Sequence, residues 1–317
     1  MQVIRSLAAL PANLTRTVVA IGNFDGMHCG HRVILQKVRE RARLLEAQSA
    51  AITFDPHPVR VLRPEQAPRL ITPLPQRLEL LAQTGIDATI VIPFTEEFSH
   101  LSAHDFADGV LHRSLHAIEV HEGDNFRFGY GAQAGTAELA QLGGELGFTV
   151  IAHPALTLRG IPVSSSQIRQ RIAAGDVSCA RALLGRPFSI RSTPARGRGI
   201  GRRLTVPTIN LAPYDELLPA NGVYVTRITI GSGLTRETFD AVTNAGNRPT
   251  FGASYAIESH LLDFHPVELT DQTPIELYFL AHIRAERRFD SPEALKEQIL
   301  LDVAYARRYL HLARVIS

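Results

Sequence analysis

The stretch Ile21-Gly22-Asn23-Phe24-Asp25-Gly26-Met27-His28-Cys29-Gly30-His31 separates two kinds of pattern. Before it, Val18-Val19-Ala20-Ile21 is a short apolar, β-branched run that reads as a buried strand. After it, Ile34, Val38, Ala42 and Leu45 recur at helical spacing. The chain must turn sharply between the two, and glycines at 22, 26 and 30 supply backbone freedom and room for a ligand to approach. A helix that opens directly after such a turn offers unpaired N–H groups and the positive end of its dipole, both of which favour a phosphate. His28 and His31 fall at that same point. This constellation suits attack on the α-phosphate of a nucleotide, where catalysis is mostly positioning and electrostatic stabilisation and needs no side-chain nucleophile. His28-Cys29-Gly30-His31 also admits a zinc reading, although no complementary Cys or His pair stands at a typical spacing elsewhere. No Gly-Lys-Ser or Gly-Lys-Thr follows the turn, which separates it from lysine-bearing phosphate loops.

Working outward, Ala50 to Phe54 reads as a second buried strand, at the separation expected of a βαβ unit. It stops at Asp55-Pro56-His57-Pro58, which leaves Asp55 and His57 at the carboxyl edge where open parallel sheets bind ligands. The alternation continues through a helix around Gln76 to Gln83 ended by Gly85, a strand at Ala88 to Ile92, and a helix opened by a Ser102/Asp105 capping box. A strand at Ala117 to His121, a helix at Thr136 to Leu146 and a strand at Phe148 to Ala152 complete the repeat. The fold class is therefore α/β, with an N-terminal doubly wound parallel sheet. Between the last two strands, Glu122 to Gly129 interleaves polar residues with Phe126 and Phe128, whose period of two also fits plain core. Ser164-Ser165-Ser166 reads first as helix N-caps; with Arg169 one turn in, it also makes a second phosphate-grasping helix start.

Helical periods cease near Leu184, and the spacing predicts a linker at Gly185-Arg186-Pro187 between a domain of residues 1–185 and one of residues 186–317. The second reads as an antiparallel β-barrel, with strands at Val223 to Ile230, Phe239 to Thr243, Ile257 to Leu262 and Ile275 to Ile283. A terminal helix begins at Ser291-Pro292 and carries Leu295, Ile299, Val303, Ala306 and Leu310 on one stripe. Within this half, the glycine-arginine run Arg196 to Arg203, with Gly197 and Gly201, reads as a phosphate cradle, a linker or an RNA-touching element.

Composition narrows the classes. A chain of 317 residues with 45% hydrophobic content has material for two cores. No run of about 18 apolar residues occurs and Met1 to Leu10 is too weakly apolar for a secretory signal, so a cytoplasmic protein without a membrane partner is expected. Cys29 and Cys179 give no disulfide framework, and a net charge of +2 is too small to point to nucleic acid as a partner.

Gly22 to His31 resembles the nucleotidyltransferase signature of bacterial bifunctional riboflavin kinase/FAD synthetases, and the resemblance runs from Gly22 to Arg307 with its motifs in order. It implies that His28 and His31 contact the ATP phosphates and stabilise the α-phosphate transition state, with Gly22, Phe24 and Gly30 binding ATP beside them. Asp55, in the matching Asp55-Pro56-His57-Pro58 segment, and Asn125 and Phe126, in the matching Gly-x-Asn/Asp-Phe-x-Phe-Gly segment, would serve the flavin. Ser164 and Arg169 match the Ser-Ser-x-x-Ile-Arg box that holds the triphosphate, with Ser166 where threonine is usual. In the second half, Val206-Pro207-Thr208-Ile209-Asn210 resembles the riboflavin kinase Pro-Thr-x-Asn motif, so Thr208 and Asn210 would hold nucleotide and Mg²⁺, beside Gly197 and Gly201 on ATP. Glu258-Ser259-His260-Leu261-Leu262-Asp263-Phe264 matches the strand whose glutamate is the general base, here Glu258. The implied chemistry is phosphorylation of riboflavin to FMN and adenylylation of FMN to FAD, both with Mg²⁺ and ATP and with small molecules as the partners.

Departures from the family pattern sit in the second half: Thr205 and Ser192 in place of glycines, Pro194 in the expected first barrel strand, and Ile209 in place of alanine. Thr205 and Ser192 leave room for an FMN adenylyltransferase whose barrel binds flavin without phosphorylating it. Two other rivals explain less. An RNA-binding barrel leaves Glu258 and Pro-Thr-x-Asn idle, and a nucleotidyltransferase acting on pantetheine phosphate or a nicotinate nucleotide leaves the second domain unexplained.

Overall fold

The structure, a computed structural model, describes residues 1–195, 203–204, 207–247 and 255–316. These form two compact units, Met1–Ser165 and Ser166–Ser317. In the first, six strands make one sheet: β1 (Gln2–Ile4), β2 (Thr17–Ile21), β3 (Gln48–Asp55), β4 (Ala88–Pro93), β5 (Ala117–Gly123) and β6 (Thr149–His153). Every pairing is parallel and the spatial order is β1-β4-β3-β2-β5-β6. The sequence pattern gives five of these strands. It misses β1, a three-residue edge strand that buries only Ile4 and is too short to show a period.

The helices of this unit are α1 (Cys29–Leu44), α2 (Pro58–Leu62), α3 (Leu74–Ala82), α4 (Glu96–Ser99), α5 (Ala103–Asp105, running on as a π-helix over Phe106–Ser114) and α6 (Thr136–Leu146). The inner strands β2 to β5 are buried on both faces, which is why they read as continuous apolar runs rather than alternating ones. Val18 and Ala20 pack with Leu35, Val38 and Ala42 of α1. Val19 and Ile21 face the other way, with Phe106 and Leu139. Chain direction across the sheet changes at β2, whose neighbours are β3 and β5. The Gly22–His28 loop therefore leaves the carboxyl end of β2 at the switch point, where open α/β sheets form their ligand crevice.

The second unit opens with α7 (Ser165–Ala173) and α8 (Val177–Leu184). Its sheet comprises β7 (Phe188–Ser192), β8 (Thr208–Asn210), β9 (Gly222–Ile230), β10 (Glu237–Asn247), β11 (Tyr255–Leu261) and β12 (Ile275–Arg284). The order is β7-β12-β9-β10-β11-β8, antiparallel throughout. The sheet curls until its edge strands meet: Ala195 N–H donates to Asn210 O and Ala212 N–H to Thr193 O, both at 2.8 Å. Pro194 lies at this seam, bridged to Leu211, and not inside the first strand, which ends at Ser192. The Ser192 hydroxyl donates to Ala212 O across the same seam at 3.0 Å. Inside the curl, the Thr226, Thr243 and Ser259 hydroxyls form a buried ladder with spacings of 2.7 and 2.8 Å. The opposite face is covered by α9 (Pro292–Ile316), which buries Ala306 and Leu310 against Val223, Val225 and Val242. The expected stripe of α9 holds only in part, since Leu295 and Ile299 are 42% and 41% exposed. They reach over a cavity described below.

Glu122, the next-to-last residue of β5, is fully buried, and neither carboxyl oxygen has a hydrogen-bond partner. Burial pushes its pKa up to about 7, with the Thr136 hydroxyl pulling weakly the other way. The folded state thus holds a proton that the unfolded chain has released above about pH 4.5, so stability falls as pH rises from there to 7 and stays lower beyond. Glu122→Gln is expected to gain up to about 3 kcal/mol more at pH 8 than at pH 4.5, as measured by denaturant unfolding at both pH values. A gain or loss that is equal at both would show that ionisation of Glu122 is not the cause.

Candidate active sites

The loop after β2 carries three residues in the left-handed region, Phe24 (φ 50°), Gly26 (φ 83°) and Met27 (φ 40°). Two buried groups hold it there. Asp25 accepts from Ile71 N–H at 3.1 Å and Thr72 N–H at 2.8 Å, while Gly26 N–H donates to Thr72 Oγ1 at 2.8 Å. Arg77, on α3 and 1% exposed, donates to the carbonyls of Asn23 at 2.7 Å and Phe54 at 3.3 Å, with Asp55 Oδ1 at 3.9 Å. Its charge favours backbone carbonyls at both strand ends at once.

His28 caps α1, its Nδ1 accepting from His31 N–H at 3.2 Å. An accepting Nδ1 places the ring proton of the neutral imidazole on Nε2, which is thereby a donor. The His28 and His31 rings stack at 3.5 Å between centroids, 14° from parallel. Phe24 meets His31 edge-on at 5.1 Å from its buried seat on the α1 side of the sheet. A Cβ on Gly30 would stand 3.2 Å from His28 Nδ1, and one on Gly22 would stand 3.4 Å from the Phe24 ring, so both glycines admit these rings. Burial lowers the pKa of His28 to about 4 despite Asp25 nearby. It also lowers that of His31 well below the usual value, helped by His28 and Arg77. Both rings are neutral at pH 7, and His31 Nδ1 is buried without a partner.

Ser165 Oγ donates to Asp25 O at 2.9 Å, which brings the serine segment, with Ser164 beside it, to the same loop. Arg169 lies on α7, in the second unit. Asp55 ends β3, and His57 caps α2 by accepting from Val59 N–H at 3.3 Å. Beside the loop, a cavity of about 360 Å³ is lined by Gly22, Asn125 and Phe126 together with Phe54, Phe94 and Phe98. Its phenylalanines meet edge to face at 5.6 to 5.7 Å.

In the second unit a cavity of about 500 Å³ is lined by Thr208, Glu258, His260 and Asn244 of the sheet and by Leu295 and Ile299 of α9. Pairing register explains the grouping. Asn210, Glu258 and Asn244 stand in one cross-strand row, and Thr208, His260 and Val242 in the next. Alternation puts both rows on the face that α9 covers. Ile209 points the other way, 3% exposed and in line with Ser259 and Thr243. The bulk of Ile209 therefore fills the interior of the curl and does not crowd the cavity. At its rim, Arg284 makes a paired contact with Asp302, the shorter arm 2.8 Å, and Arg284 and Arg287 lie over the Phe289 ring at 5.5 and 4.8 Å. Gly197, Gly201 and Thr205 lie outside the described residues.

The sequence reading gave no role to Arg77, Asp25, His260 or Asn244. Arg77 had a signal, the one basic residue of α3, set among Leu74, Leu78, Leu80 and Leu81; the carbonyls it serves are distant in sequence. Among the described residues no group of three or more His, Cys, Asp or Glu is placed to hold a metal ion. No helix among them is long and apolar enough to cross a membrane.

A glycine loop with two imidazoles at the switch point of a parallel sheet, joined to a curled sheet with a carboxylate cavity, fits a transferase with two sites. Residues 10–167 match the FAD synthetase family and residues 184–310 the riboflavin kinase family. A bifunctional riboflavin kinase/FMN adenylyltransferase from Pseudomonas fluorescens is 36% identical over 97% of each chain. One of the same description from Escherichia coli (strain K12) is 33% identical over 94% of each. A crystal structure described as a macrolide-efflux protein from Streptococcus pneumoniae superposes with a TM-score of 0.82 at 26% identity, over 96% of this chain and 98% of that one. The chain belongs to the bifunctional riboflavin kinase/FMN adenylyltransferase family, a family of transferases.

Two substitutions check the local accounts. Arg77→Met leaves the Asn23 and Phe54 carbonyls without their donor and is expected to cost about 2–3 kcal/mol, read as a lower midpoint for the unfolding transition of the first unit. Ile209→Ala is expected to cost about 2–4 kcal/mol in the second unit while leaving ATP affinity unchanged by titration calorimetry. A large change in ATP affinity with little loss of stability would place Ile209 in the cavity instead.

Proposed function

We propose that this chain phosphorylates riboflavin to FMN in its second half and adenylylates FMN to FAD in its first, taking both transferred groups from MgATP. The observation that carries the reading is that two family matches together span nearly the whole chain, and that each falls on a unit holding a cavity of ligand size. The working boundary between the two activities is residues 185 and 186. The enzyme is read as cytoplasmic, acting on small molecules and not on nucleic acid.

In the first reaction site, a phosphate oxygen of FMN attacks the α-phosphorus of ATP and pyrophosphate leaves. His28 and His31 act as neutral N–H donors to the α-phosphate oxygens as charge builds on them, and Gly22, Phe24 and Gly30 fix the approach. Ser164 and Arg169 hold the triphosphate, and Asp55, Asn125 and Phe126 orient the flavin. In the second, Glu258 takes the proton from the ribityl 5′-hydroxyl as that oxygen attacks the γ-phosphorus, and ADP leaves. Thr208 and Asn210, a hydroxyl and an amide on one strand face, suit the nucleotide and its Mg²⁺, with Gly197 and Gly201 on the phosphates. Mg²⁺ supplies charge neutralisation on the phosphate oxygens. Two of the departures from the family pattern do not bear on this cavity: Ser192 ties the seam and Ile209 faces inward.

Purified protein incubated with MgATP and either riboflavin or FMN, with products separated by chromatography, tests the assignment. His31→Ala is expected to lower FAD formation by at least about a hundredfold while sparing FMN formation, and Glu258→Ala to do the reverse. Loss of both activities from either change, in folded protein, would sink the two-site reading. FAD formation from FMN alone in the unsubstituted protein would leave an adenylyltransferase with a silent barrel.

A further inference from the structure

The aromatic cavity of the first unit is bounded on one side by Ser99 and Leu101 and on the other by Gly129, Gly131 and Ala132. The residues between these lining positions, His100 and Tyr130, turn their side chains to each other, with ring centroids 5.2 Å apart and planes at 54°. Both side chains are exposed, Tyr130 at 59%. Neither is among the residues that line the cavity, and their contact joins the two lining segments. The lips differ in construction. His100 closes α4, its N–H bonded to Glu97 O at 3.2 Å. The Tyr130 lip is a loop with left-handed residues at Gly129, Gly131 and Ala132. Gly129 lies so close to Ala103 that a Cβ there would come within 3.0 Å of its backbone nitrogen, which pins the loop at that end. Beyond Gly129 the Tyr130 ring has His100 as its aromatic neighbour.

We propose that the His100–Tyr130 contact is a gate across the mouth of this cavity, and that its opening sets the rates at which a planar flavin phosphate enters and leaves. This rests on the reading of the cavity as the FMN site. A single exposed aromatic contact biases an open–closed equilibrium by about two- to tenfold. The gate is therefore closed most of the time and opens readily. A gate of this kind scales association and dissociation together and leaves the equilibrium affinity alone, whereas a residue that stacks on the bound flavin slows dissociation only.

Stopped-flow quenching of FMN fluorescence separates these cases. The phase belonging to this cavity is the one lost in Phe126→Ala, or in Asn125→Ala should the first variant fold poorly; FMN binding elsewhere in the chain is unaffected by either. In that phase, His100→Ala and Tyr130→Ala are each expected to raise both rate constants about two- to fivefold, with Kd changed less than twofold, while Tyr130→Phe, which keeps the ring, behaves as the unsubstituted protein. Faster dissociation with unchanged association, or no change in either rate, would overturn the gate while leaving the cavity as the flavin site. If no phase responds to Phe126→Ala or Asn125→Ala, the flavin reading of the cavity falls, and the gate with it.

Discussion

The buried guanidinium of Arg77 is the contact on which the first site depends. It joins carbonyls from the ends of two neighbouring strands, Asn23 after β2 and Phe54 in β3, and so fixes where both strands release the chain. Asp25 performs the converse task by gathering the Ile71 and Thr72 N–H groups, which ties the loop to the segment leading into α3. Between these two charges the loop holds Phe24 and Met27 at positive φ, a conformation that side chains other than glycine adopt only when their surroundings over-determine it. The consequence is a fixed start for α1, and with it fixed imidazoles. A site that works by positioning gains from being built before its ligand arrives.

The second site is assembled by different means. No loop of unusual geometry is needed for its described residues; antiparallel register alone sets Asn210, Glu258 and Asn244 side by side and puts Thr208 and His260 in the adjoining row. Alternation then separates the chemistry from the packing, since the intervening Ile209, Ser259 and Thr243 face the interior ladder. α9 divides along its length in the same way. Its later turns bury Ala306 and Leu310 against the sheet, while Leu295 and Ile299 of its first turns form an apolar shelf over the cavity.

These differences explain what was legible in the sequence. The βα alternation, the glycine turn and the change to short alternating strands near Leu184 are local patterns, and each reads directly from residue spacing. The edge strand Gln2–Ile4 escapes because three residues carry no period, and the partial burial of the α9 stripe escapes because a helix does not announce which of its turns meets the sheet. Arg77 and its carbonyls are separated by 54 and 23 positions, so the contact that matters most to the loop is invisible to spacing. The orientation of Ile209 follows from strand alternation once Thr208 and Asn210 are assigned to the ligand face.

The neutrality of His28 and His31 bears on how such a loop meets a phosphate. Burial keeps both rings uncharged, with Arg77 adding to the effect on His31, and a stacked pair at 3.5 Å would repel if both were charged. In the proposed reaction both rings stay neutral and donate N–H to the phosphoryl oxygens, so no positive charge has to be stored beside Arg77. His31 Nδ1 is buried without a hydrogen-bond partner, so nothing within the loop opposes the neutral ring. The loop thus couples two things through two rings: the fold that buries them and the neutral state that burial imposes.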